Sequence, residues 1–120
     1  MIELIIKQYL DSHLDVPSFL ERKSKMPAKL EKSKMPAKFV LFEKTSSGKS
    51  NHLKSATFAF QSYAKSLYEA AMLNEKVKEV VEQMIELPEI SGIELNSDYN
   101  FTDEETKEYR YQAVFDINYY

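Results

Sequence analysis

Residues 109–120 read YRYQAVFDINYY. Tyr109, Tyr111, Ala113, Phe115, Ile117 and Tyr119 alternate with Arg110, Gln112, Val114, Asp116 and Asn118. Successive side chains of a strand point to opposite faces, so a period of two predicts a strand with one buried face. Only Val114 breaks the polar side. One-sided burial of this kind belongs to an antiparallel sheet, because parallel sheets are covered on both faces. The rest of the chain must therefore supply antiparallel neighbours and something to cover the apolar side.

Working back along the chain, Ile93, Leu95, Tyr99 and Phe101 share one parity, which predicts the partner strand. The stretch TDEETKE (102–108) is the turn between the two. Upstream lies a helix opened by Ser66 with Glu69 three residues later, a capping box. Ala70, Leu73, Val77, Val80, Val81 and Met84 form its apolar stripe, with Lys76, Lys78, Glu79 and Glu82 facing solvent. Pro88 ends it. ATFAFQSY (56–63) and KFVLFEK (38–44) read as strands of a hairpin, and TSSGKSNHLKS (45–55) as a polar, flexible connection between them. VPSFLE (16–21) reads as a short strand, and Pro17 near its start places it at a sheet edge. Residues 2–13 carry Ile2, Ile5, Ile6, Tyr9 and Leu10 at helical spacing. The predicted order is α-β-β-β-α-β-β: one α+β domain over residues 1–120. It has a mainly antiparallel sheet of about five strands and two helices packed on one face.

Composition narrows the chemistry. The 120 residues are 43% apolar, with eight Tyr and seven Phe, enough for a sizeable core. The formal net charge of −3 argues against a general nucleic-acid binder. No cysteine is present, which excludes a disulfide framework and a thiolate metal site. His13 and His52 are the only histidines. No apolar run approaches the ~20 residues that span a bilayer, and the opening MIELIIKQYL lacks the form of a signal peptide. The expectation is a soluble protein made in a reducing cytoplasm.

One stretch repeats. KSKMPAK occurs at 23–29 and again at 32–38, and residues 22–38 hold seven Lys or Arg against one Glu. Two Met-Pro pairs at that spacing fit neither a helix interior nor a central strand, so a loop is expected. Its positive charge invites phosphate contacts. No aromatic interleaves with the lysines, however, so a stacking platform for single strands is missing.

Three near-motifs fail on spacing. SSGKS has Glu43 where a phosphate loop requires its first Gly, and a strand rather than a helix follows. DYNFTDEETKEY offers Asp98, Asn100 and Thr102 in calcium-loop order, but places Asp103 at the obligatory Gly and Tyr109 at the bidentate Glu. Asp11, Ser12 and His13 are adjacent in sequence and cannot converge on one reacting atom. The residues predict no enzyme, no cofactor and no metal site. They place contact surfaces in loops and at the chain end instead: Lys49, Asn51 and His52 in the 45–55 connection, Asp103, Glu104 and Glu105 in the acidic turn, and Tyr119 and Tyr120 at the terminus.

SATFAFQSYAKSLYEAAMLNE and LNSDYNFTDEETKEYRYQAVFD carry a resemblance to small tail proteins encoded in prophages of Gram-positive bacteria. MIELIIKQYLDSHLDVPSFLE is similar too, so the resemblance covers nearly the whole chain. It resembles the tail terminators, or tail completion proteins, of long-tailed phages. What the resemblance implies is an α+β domain made in the host cytoplasm and carried in the virion tail. It would assemble with itself as a hexameric ring on the tail tube protein, stop tube growth and meet the head-tail connector. Alternatives are a head-tail joining or minor capsid protein, and a nucleic-acid-binding accessory protein using residues 22–38. Relatives pass between the first two strands through one linker; here it occurs twice. Doubling a flexible loop costs only about 0.6 kcal/mol of closure entropy, so a tolerated insertion is expected.

Overall fold

The computed structural model describes residues 1–20, 37–50 and 53–120. Helix α1 (Ile2–His13) is followed by β1 (Ser18–Leu20), β2 (Phe39–Ser50) and β3 (Leu53–Ala64). Helix α2 (Leu67–Gln83), a 3-10 turn (Met84–Glu86), β4 (Ile90–Asn100) and β5 (Tyr109–Tyr119) complete the order. The five strands lie in one sheet, β1-β2-β3-β5-β4. β1 runs parallel to β2, and the other three pairings are antiparallel. This is the α+β architecture that the sequence predicts. The duplicated stretch lies outside the described residues except for Ala37 and Lys38.

The core follows from the period-two pattern. Cross-strand partners share a face, and Phe42↔Phe60, Phe58↔Phe115, Phe60↔Ala113 and Ala56↔Ile117 are partners. These residues are all buried, and they form one cluster with Ile2, Ile6, Tyr9 and Leu10 of α1 and Leu73, Val77, Val80 and Val81 of α2. Both helices therefore lay their apolar stripes on the same side of the sheet. Phe42, Phe58, Phe60 and Phe115 meet with ring centroids 5.9–6.3 Å apart, the offset and edge geometries that aromatic quadrupoles favour.

Local signals set the helix ends. The Ser66 side chain accepts a hydrogen bond from the Glu69 N–H at 3.1 Å, one half of the capping box. Helix α1 is tied to the sheet edge through Asp11. Its carboxylate accepts from Ser18 Oγ at 2.6 Å and from Lys7 Nζ at 2.9 Å, and Lys7 also donates to the Ser18 carbonyl at 2.7 Å. Burial alone raises the Asp11 pKa, but the hydrogen bonds from Ser18 and Lys7 outweigh it and hold the carboxyl below its usual value. A lowered folded-state pKa means that this contribution is complete above the ordinary carboxylate pKa of about 3.9 and is lost as pH falls through the folded-state value. Ser18→Ala should therefore destabilise the protein at neutral pH, and the difference from wild type should shrink in that acid window. Urea melts at several pH values read this directly. A pH-independent difference would place the cost of the substitution in packing alone.

Two sequence expectations are corrected. The 45–55 stretch is not a loop: β2 and β3 pair as far as Ser50↔Leu53, leaving only positions 51 and 52 between them. Residues Lys44 to Ser50 are exposed on both faces, so hydrophobic periodicity has nothing to report there, and the backbone ladder alone makes the strand. The register shifts once between Lys44 and Ser46, a bulge that turns the distal half of the hairpin. On β4 the shared parity of Ile93, Leu95, Tyr99 and Phe101 does not hold either. A second bulge between Leu95 and Ser97 sends Ile93 and Leu95 to the helix side, opposite Ile117 and Phe115, and Tyr99 to the other side, opposite Gln112.

Candidate assembly surface

The register sorts the predicted contact residues into two groups. Lys49 lies across from Lys54, and Lys54 across from Tyr119. The Lys54 ammonium sits 6.0 Å from the centre of the Tyr119 ring, within cation–π range. Tyr119 is half-buried against the core, while Tyr120 is 71% exposed and donates its N–H to the Glu89 carbonyl at 3.1 Å. Lys49, Tyr119 and Tyr120 thus gather at one end of the sheet. Asn51 and His52 lie outside the described residues. Asp103, Glu104 and Glu105 occupy the opposite end, beyond the Ala64↔Tyr109 pair. The structure does not bring the two groups together within one chain.

The acidic turn is well built. The Asp103 carboxylate accepts from the Glu105 N–H at 3.0 Å and the Thr106 N–H at 3.4 Å. These backbone donors hold its pKa below the usual carboxylate value. Asn100 Oδ1 accepts from the Thr102 N–H at 3.0 Å. Of the side chains that resemble the start of a calcium loop, Asn100 caps the turn, Thr102 Oγ1 donates to the Arg110 carbonyl at 3.3 Å, and Asp98 is bonded to Lys78 at 2.9 Å. Lys107 takes φ 58°, the left-handed conformation that closes it. Glu104 and Glu105 point to solvent.

Among the described residues the sheet leaves two strand edges open. β1 covers β2 only from Val40 to Phe42. Among the described residues nothing pairs with the outer side of β2 beyond that point, nor with the outer side of β4. Unpaired N–H and C=O groups along an edge template the pairing of a further strand. β4 is held from the helix side instead. Lys78 Nζ meets Asp98 at 2.9 Å and Glu75 at 2.7 Å, and these bonds, that to Glu75 foremost, raise the Lys78 pKa.

Sequence reasoning missed the helix-free side of the sheet. The polar residues of β5 read as solvent-facing; instead they form a network across the strands. Gln61 Nε2 donates to Gln112 Oε1 at 2.7 Å, and Gln112 Nε2 donates to Tyr99 Oη at 2.6 Å. Tyr63 Oη donates to Gln61 Oε1 at 3.1 Å and accepts from Arg110 Nη1 at 2.7 Å. The Arg110 guanidinium lies 4.7 Å from the Phe101 ring centre and 5.5 Å from that of Tyr63, and Phe39 stacks on Tyr63 at 4.6 Å. Gln61, Tyr63 and Gln112 are buried although neither helix lies on this side. The available signal was the spacing of Gln61 and Tyr63 on β3 against Arg110 and Gln112 on β5, which pairs only once the register is known.

The remaining near-motifs find local roles. Gly48 and Lys49 are strand residues of β2. Ser12 Oγ donates to the Gln8 carbonyl at 2.9 Å, His13 stacks on Tyr9 at 3.9 Å, and Asp11 turns away to β1. An open groove of about 210 Å³ beside them is lined by Ile5, Gln8, Tyr9, Ser12, Leu87 and Glu89. Among the described residues no three His, Asp or Glu side chains converge as metal ligands, and no helix is long and apolar enough to cross a membrane. No family model matches the chain, and none of the curated proteins compared with it is similar to it.

Proposed function

We propose that this chain is a structural protein of a long-tailed phage that caps the tail tube as an oligomeric ring, ending tube growth and preparing the tail for the head. Its partners are further copies of itself, the tail tube protein and the head-tail connector. The resemblance of residues 55–75 and 95–116 to small tail proteins supplies the reading. The observation that carries it in the fold is the sheet left open, among the described residues, along two strands, β2 beyond Phe42 and the full length of β4. Open edges are a liability in a solitary protein and a resource in one that assembles. The polar and charged groups described above serve packing, capping and strand pairing, which fits a protein whose work is contact rather than chemistry. Deleting the gene from the phage that carries it should give tails of uneven, excessive length without attached heads, seen by electron microscopy. Tails of normal, uniform length in the deletion strain would overturn the proposal. Tails of normal length that fail to join heads would favour the head-tail joining alternative.

A further inference from the structure

The geometry points to the free edges of β2 and β4 as the two halves of a head-to-tail interface, with β2 of one copy pairing antiparallel against β4 of the next. This rests on the assembly reading above and names the surface through which copies join. β2, β3, β5 and β4 are each antiparallel to the neighbour in that order, so β2 and β4 run in opposite directions. A second copy set beside the first in the same orientation therefore meets it edge to edge in an antiparallel ladder, the more stable pairing.

The net charge of the two edges favours this pairing over the alternatives. From residue 43 to 50 the open β2 edge carries Lys44 and Lys49 against the single acid Glu43, with Lys44 also paired to Glu3 of α1 at 3.3 Å. From 90 to 100 the β4 edge carries Glu94 and Asp98 and no base. Two β2 edges would set net positive against net positive, and two β4 edges acid against acid; only β2 against β4 opposes unlike net charges. Edge charges that forbid like pairing while permitting one unlike pairing set specificity. Lys44, Lys49 and Asp98 share the helix side of the sheet, and Glu94 lies on the other. A further sign lies within the hairpin itself. Lys49 sits directly opposite Lys54, a like-charge pair that destabilises an isolated hairpin. Among the described residues neither lysine has an ion-pair partner. An acidic strand from a neighbour would relieve that repulsion. A β2-to-β4 contact uses two different patches, so each copy keeps one free edge until a ring closes.

The chain lacks cysteine, so thiols can be placed at will. Ser47 and Ser91 are exposed and sit on the β2 and β4 edges. The Ser47→Cys/Ser91→Cys double variant, treated with a short bismaleimide, should give a ladder of covalent oligomers that ends at the ring size. Each single variant should remain monomeric under the same treatment. In parallel, Lys49→Glu should weaken association several-fold at low salt. Covalent dimers from a single variant would overturn the inference in favour of like-edge pairing. Absence of a ladder from the double variant, with a closed oligomer still present by native mass spectrometry, would overturn this interface and leave the tail reading standing. A ladder from the double variant together with normal tails in the deletion strain would do the reverse.

Discussion

Replacing Phe60 by Ala is expected to cost about 3–5 kcal/mol of folding stability, the largest effect of any single change considered. Phe60 is fully buried and central: it contacts the rings of Phe42, Phe58 and Phe115 on three strands. Its removal leaves a cavity between the sheet and the helices, and the surrounding rings are held by their own strands and cannot collapse into it. A domain of this size is stable by only about 5–15 kcal/mol, so the variant should lose a large share of its margin. Guanidinium denaturation measures this as a lower midpoint at unchanged slope. Tyr68→Ala, at a position 73% exposed, is the control and should change stability by less than about 0.5 kcal/mol. A loss below about 1 kcal/mol for Phe60→Ala would mean that this ring is not the centre of the core.

The second large effect is expected on the opposite side of the sheet. Arg110 donates to the Phe101 carbonyl through Nε and to Tyr63 Oη through Nη1, both at 2.7 Å, and covers both rings. Arg110→Ala removes two charge-assisted hydrogen bonds and two cation–π contacts together. Because the group is part-exposed, the expected cost is about 1–3 kcal/mol, not the sum of its parts. Arg110→Lys should recover only a fraction, since an ammonium cannot span both acceptors as the planar fork does. The loss should be local as well as global. Phe101 follows the end of β4, so amide exchange around residues 99–103 should quicken more than exchange in the β2–β3 ladder. Full rescue by Lys would show that charge alone, without the fork geometry, holds this side together.

These two residues also mark where the sequence was legible and where it was not. Phe60 belongs to a period-two stripe, and the stripes of 56–63 and 109–119 led directly to the antiparallel sheet, its buried face and the two helices that cover it. Ser66 and Glu69 marked the start of the second helix because capping acts locally, whereas the helix ends at Gln83 and a 3-10 turn, Met84–Glu86, intervenes before Pro88. Pro17 correctly placed β1 at an edge. What escaped detection is what pattern cannot carry. The distal β2 strand has wet faces on both sides, so Thr45 to Ser50 looked like loop. The bulge between Leu95 and Ser97 shifts the register by one residue, which moves every later side chain to the other face. The network of Gln61, Tyr63, Arg110 and Gln112 joins residues some fifty positions apart and exists only in the paired sheet. The predicted contact residues were individually exposed or half-exposed where described, but only the register reveals that Lys49 and the Asp103–Glu105 turn lie at opposite ends. That separation bears on the proposed assembly, since opposite ends and opposite edges are what copies of one chain would present to one another.

The place of this chain in a particle, and the number of copies there, is the most direct test of the proposed role. Electron cryomicroscopy of the head-proximal end of the tail should resolve its five-stranded sheet repeated around the tube axis in a closed hexameric ring, each β4 edge against the β2 edge of the next copy. Finding the chain as a solitary copy, or in the capsid shell with the tube end formed by another protein, would contradict it.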